Sequence, residues 1–143
     1  MMEHPWGGDL VLSVPQIDRE HEVAIACANE FCNSVEAGGS RAELEARLTR
    51  VVEVFELHFR SEEGLMSSRG FPGRERHAEE HRKLLGQIGG LRDDLGAGSV
   101  SLCDALAKFV RLWTEQHILG PDAGFAQFLL HDERIEVPSQ TQP

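Results

Sequence analysis

Residues 77–95 read HAEEHRKLLGQIGGLRDDL. Leu84, Ile88, Leu91 and Leu95 recur there at helical spacing, and His77 and His81 continue the same stripe toward its N-terminal end. Residues four apart on a helix are neighbours on one face. The pattern therefore predicts an amphipathic helix whose buried face turns from apolar to imidazole at one end. Polar groups placed on such a face need a partner in the interior.

The flanking segments repeat the pattern. Ser40 and Glu43 form an S-x-x-E capping box. Leu44, Leu48, Val51 and Phe55 then make an apolar stripe, and its next positions are His58 and Glu62. This helix is expected to end near Met66, with Phe71-Pro72-Gly73 as the turn into the next. Upstream, Asp18 is expected to cap a helix in which Ile25, Ala28, Phe31 or Cys32, and Val35 share a face with His21. Gly38-Gly39 stops it. Residues 1–17 are expected to form an extended arm, because Pro5, Gly7, Gly8 and Pro15 discourage a helix while Trp6, Val11, Leu12 and Val14 offer apolar contacts.

Downstream, Gly96-Ala97-Gly98-Ser99 closes the 77–95 helix, and Ser101 with Asp104 opens a fourth. Its stripe is Leu102, Leu106, Phe109 or Val110, Trp113 and His117. Gly120-Pro121 is expected to interrupt that helix and swing Asp122 inward, since a spacing of five from His117 would otherwise rotate the carboxylate off the face. Residues 125–130 are apolar and suit a short last helix, and the 132–143 tail is polar. The expected fold is all-α: an up-down-up-down four-helix bundle with an N-terminal extended arm and a short C-terminal helix. It occupies residues 1–131 as one domain.

In that topology the start of helix one, the end of helix two, the start of helix three and the end of helix four share one end of the bundle. His21, His58, Glu62, His77, His81, His117 and Asp122 then meet there. Mixed imidazole and carboxylate ligands suit iron, zinc, copper or nickel. Seven side chains are too many for one ion and suit two ions bridged by the carboxylates. His4 and His131 fall outside the pattern.

The bulk composition agrees with a globular domain. The chain has 143 residues, 41% hydrophobic and 27% charged. Its net charge of −10 disfavours nucleic acid and anionic membrane as partners, since both reward a basic surface. The N-terminus fits neither a signal peptide nor a membrane span. Cys27, Cys32 and Cys103 contain no CxxC pair, and an odd count reads as reduced thiols in a cytoplasmic protein.

The local text resembles the hemerythrin family, in its bacterial single-domain form. The resemblance rests on IDREH at 17–21, HFRSEE at 58–63, HAEEH at 77–81 and HILGPD at 117–122, and it spans roughly residues 6–130. It implies a non-haem centre of two iron ions that binds O2 reversibly, for transport, delivery, storage or sensing. His77, His81 and His117 would serve one iron and His21 with His58 the other. Glu62 and Asp122 would bridge, together with an oxo or hydroxo group. The second iron would keep one position open for O2, and NO, azide or other small anions would suit it too. The bridging hydroxide would supply the proton that bound oxygen needs, so no general acid is required of the protein. Ile25, Phe55, Trp113 and Ile118 would form a dry wall around that position. Thr114 departs from the family's apolar pocket, and Phe71-Pro72 stands where Tyr-Pro is frequent.

A di-iron enzyme, or a sensor of redox state or NO, is the alternative. Ferritin-like di-iron enzymes use Glu-x-x-His motifs. Here no Glu lies three residues before a ligand histidine, and the chain has no Tyr for a radical route. Binding rather than catalysis is expected, and the sequence names no protein partner.

Overall fold

The computed structural model describes residues 10–93 and 99–131, and all its regular elements are helical. The elements are α1 (Pro15–Glu36), α2 (Arg41–Arg69), α3 (Arg74–Asp93), α4 (Ser99–Leu112), a π-helical segment (Trp113–Asp122) and α5 (Ala123–His131). Trp6, Leu95 and the 132–143 tail lie outside the described residues. So does most of the glycine-rich 96–99 connection.

Helix α1 begins at Pro15, earlier than expected, because Pro at the first helical position loses no hydrogen bond and presets φ. Asp18 is not its N-cap. The Asp18 carboxylate sits in the first turn and reaches back, accepting from Leu12 N at 2.8 Å and Ser13 N at 3.1 Å. It thereby ties the preceding segment to the helix, and Leu10 and Leu12 pack on the core. Ala37 ends α1, and Gly38 follows at φ +78, where a side chain would be strained.

Ser40 caps α2 as its motif requires, its Oγ accepting from Glu43 N at 3.1 Å. The helix runs on to Arg69, three residues beyond Met66, and stops at Gly70 in the left-handed region. Phe71 then packs on Phe125 and Phe128 of α5, with ring centroids 4.8 and 5.1 Å apart. This contact holds the α2–α3 turn against the last helix.

Helix α1 packs beside α2 and α4, and α3 packs beside the same two. Their apolar stripes meet in one core that includes Ile25, Ala28, Phe31, Leu48, Val51, Phe55, Ile88, Leu106, Val110 and Trp113. Phe55 is fully buried at its centre, edge-on to Phe59, Phe109 and Trp113. A smaller cluster of Ile17, Met66, Phe125 and Leu129 closes the bundle on the other side of the polar residues.

Two further expectations are corrected. Gly120-Pro121 does not interrupt the fourth helix: the backbone continues without a break from α4 through the π-helical segment into α5. Pro121 lacks an N–H, and the wider i→i+5 winding carries the chain past it. The cysteines are not all free thiols either. Cys32 on α1 and Cys103 on α4, 71 residues apart in sequence, are joined in a disulfide, and Cys27 alone is free. The sequence shows no short motif because the pair forms only where α1 and α4 pack together.

Candidate metal centre

Each helix delivers its polar residues by extending its apolar stripe. His21, His58, Glu62, His77, His81, His117 and Asp122 are all buried, none more than 4% exposed. Their ligand atoms fall into two groups. One contains Glu62, His77, His81, His117 and Asp122; the other contains His21, His58, Glu62 and Asp122. Within each group the atoms lie within 4.8 Å of one another, and both carboxylates belong to both groups.

The π-helical segment decides the place of Asp122. In an α-helix a spacing of five turns a residue off the face of its partner. Across Trp113–Asp122 the i→i+5 winding keeps His117 and Asp122 together, with Nε2 3.1 Å from Oδ1. Inward delivery of Asp122 was expected from a break; it comes from continuous, wider winding.

The distances are those of ligand atoms arranged around a common centre. His117 Nε2 lies 3.1 Å from the Nε2 atoms of both His77 and His81. Glu62 Oε1 lies 3.1 Å from His77 Nε2 and 3.0 Å from His81 Nε2. Asp122 Oδ1 is 2.8 Å from His77 Nε2, and its Oδ2 is 3.1 Å from His21 Nε2. Metal–imidazole bonds of about 2.1 Å at right angles put neighbouring ligand atoms about 3.0 Å apart. The observed separations match that figure.

The outer ring nitrogens fix the tautomers. His58 Nδ1 donates to Glu20 at 2.7 Å, and His81 Nδ1 donates to Glu63 at 2.6 Å. His117 Nδ1 faces Glu80 at 3.5 Å. An imidazole that donates outward from Nδ1 presents a bare Nε2 inward, the form that binds a metal. Ser61 donates to Glu20 at 2.9 Å, and Gln16 donates to Ser61 at 2.9 Å, so Glu20 is itself held.

The inward atoms are poorly served by protein alone. His58 Nε2 and Glu62 Oε2 are buried without a hydrogen bond, while Glu62 Oε1 and Asp122 Oδ2 face imidazole nitrogens of the other helices. Each atom left so costs about 1–3 kcal/mol. A structural metal returns on the order of 10 kcal/mol. The donor set therefore fits a cation, and imidazole with carboxylate suits iron.

The ionisation behaviour points the same way. Burial disfavours a charged His77, but contact with Asp122 and Glu62 outweighs it and raises the pKa to about 9. His58 is also raised: burial opposes this, and Glu20, Glu62 and Asp122 overcome it. Asp122 is held well below the usual carboxylate range, because its hydrogen bonds to His117, His21 and His77 outweigh its burial. These carboxylates thus attract positive charge into the centre of the bundle.

The expected wall residues Ile25, Phe55, Trp113, Thr114 and Ile118 are all buried. Trp113 stands edge-on to His21, with centroids 5.2 Å apart, and 6.3 Å from His58. Thr114 Oγ1 donates to Arg111 O at 2.9 Å, so its proton is turned to the backbone of the preceding turn.

Sequence reasoning missed Glu20, Glu63 and Glu80. Each is one residue from a ligand on its own helix yet meets a ligand on the next: α1 to α2, α2 to α3, and α3 to the π-helical segment. The available signal was adjacency, since a step of one residue turns a side chain toward the neighbouring helix.

The family model for the Hemerythrin HHE cation binding domain matches residues 12–129. A bacteriohemerythrin of Methylococcus capsulatus is 30% identical over 101 residues, covering 71% of this chain and 76% of that protein. A bacteriohemerythrin of Stenotrophomonas maltophilia is 27% identical, covering 85% of this chain and 78% of that protein. A myohemerythrin of Riftia pachyptila is 27% identical, covering 82% and 86%.

Proposed function

The chain belongs to the hemerythrin family, and from this premise we propose that it binds O2 reversibly at a non-haem di-iron centre. The observation that carries the reading is the pair of ligand groups sharing Glu62 and Asp122. In this assignment His77, His81 and His117 would hold one iron, His21 and His58 would hold the other, and Glu62 and Asp122 would serve both. O2 would be taken up on the His21–His58 side, where the chain offers fewer ligands. The up-down-up-down course of the bundle, with residues before α1 as an arm, is part of the same reading; the packing of α1 and α3 each beside α2 and α4 supports it.

When bound, the iron pair supplies the electrons for reversible O2 binding. The chain's own residues do the rest. Glu20, Glu63 and Glu80 orient the histidines so that Nε2 faces inward. Ile25, Phe55, Trp113 and Ile118 exclude water from the His21–His58 side. Thr114 does not spoil this wall, because its hydroxyl proton is committed to Arg111 O. No described side chain is needed as a proton donor. This favours a binder over an enzyme.

No described helix is long and apolar enough to cross a membrane. The expectation of a cytoplasmic protein rests on reduced cysteines together with an N-terminus that fits no signal peptide, and the Cys32–Cys103 bond removes the first of these arguments.

The test is anaerobic reduction of the iron-loaded protein followed by air. Visible charge-transfer absorption that appears with O2 and fades on its removal supports the reading. Direct passage to the oxidised protein with peroxide turnover favours an enzyme, and isolation with zinc and no iron ends the di-iron proposal. His58→Ala should abolish O2 binding. His131→Ala should not, because His131 is exposed and spends Nδ1 on Gln127 O at 2.8 Å.

A further inference from the structure

Trp113 is fully buried, and its indole Nε1 has no hydrogen-bond partner among the described residues. Buried donors are seldom left so, and each one calls for a cause. Ser34 Oγ is also unpartnered, but it lies beside the α1–α2 turn, away from the ligands. His58 Nε2 and Glu62 Oε2, which also lack a partner, belong to the ligand set itself, and Trp113 packs directly against that set through His21 and His58.

Its neighbours on the wall cannot do what it can. Ile25, Phe55 and Ile118 carry no polar side-chain atom, and the Thr114 hydroxyl donates to Arg111 O. Among these wall residues the indole N–H is thus the uncommitted donor, and its ring packs against His21 and His58. A donor there discriminates between guests. A neutral apolar gas gains little from it, whereas a bound anion gains a charge-assisted hydrogen bond in a water-poor site. An aromatic wall built for exclusion alone would be served equally by Phe.

We propose that Trp113 is the specificity-determining residue of this site: its indole N–H donates to a small anion, or to oxygen carrying negative charge, bound on the His21–His58 side. The proposal rests on the di-iron reading above and adds to it which residue selects the guest.

The probe is azide on the oxidised, iron-loaded protein. Trp6 is the other tryptophan of the chain, so a Trp6→Phe background isolates the signal of Trp113. Azide should shift the ultraviolet resonance Raman band that reports indole N–H hydrogen bonding. Replacing Trp113 with benzothienyl-alanine, which keeps the shape and lacks the N–H, should weaken azide binding about tenfold or more at unchanged iron content. Trp113→Phe should weaken it similarly. An unshifted band with azide bound, or equal azide affinity in the benzothienyl variant, overturns the role of Trp113 and leaves the di-iron reading intact. Iron-loaded wild-type protein that binds neither azide nor O2 overturns both.

Discussion

His117 Nε2 and Asp122 Oδ1 lie 3.1 Å apart although Asp122 stands five positions after His117, because the backbone from Trp113 to Asp122 winds as a π-helix. The segment brings one shared carboxylate against three histidines, since Asp122 also contacts His77 and His21. π-Helical turns are rare and concentrate at functional sites, and here the reason is specific: the wider winding keeps both ligands on the interior face.

Asp122→Ala should therefore affect both halves of the centre. Iron content measured by mass spectrometry is expected to fall by half or more. A variant that retained full iron and normal O2 absorption would show that Asp122 is not a bridging ligand.

Glu20→Ala is expected to be milder and one-sided. It removes the carboxylate that orients His58 but no inward-facing atom. Loss of such a partner typically costs 10–100-fold in metal affinity. Competition with a chelator should show this loss. Glu79→Ala, which removes an exposed partner of Arg82, should leave affinity unchanged.

Metal uptake should depend on pH through His77. In the metal-free protein its pKa is raised from 6.5 to about 9. The protonated ring stabilises the metal-free fold fully below pH 6.5, and that contribution is lost as pH rises through 9. Metal must displace this proton, so affinity should rise about tenfold per pH unit across the same window and level off above it. Anaerobic Fe(II) titrations at stepped pH measure the slope; a flat profile would contradict it.

The Cys32–Cys103 bond closes a loop of 71 residues that contains α2 and α3. A loop of that length stabilises by about 4 kcal/mol in the chain-entropy account. Urea midpoints should fall when the protein is reduced. The O2 absorption of folded protein should persist, because Cys32 lies three turns along α1 from His21 and Cys103 lies near the opposite end of its helix from His117. Loss of that absorption on reduction, without unfolding, would couple the bond to the site.

Most of the ligand set was legible in the sequence because helical periodicity is local. His58 with Glu62 and His77 with His81 are neighbours on any α-helix, whatever packs around it. The same applies to the Ser40–Glu43 cap. Asp18 misled because a carboxylate near a helix start can serve either the helix or the strand of chain before it, and only the Leu12 and Ser13 contacts decide.

The sequence by itself determined an all-helical chain, four stripes that turn polar, and the residues those stripes offer to a metal. These follow from spacing along one helix at a time. Only the tertiary structure decided how Asp122 reaches the interior, which glutamate holds which histidine, that Cys32 meets Cys103, and that the Trp113 N–H finds no partner among the described residues. The first depends on backbone winding around Pro121, which periodicity cannot anticipate, and the others depend on contacts between helices. Those contacts are set by how the apolar stripes pack, and no single segment contains that information.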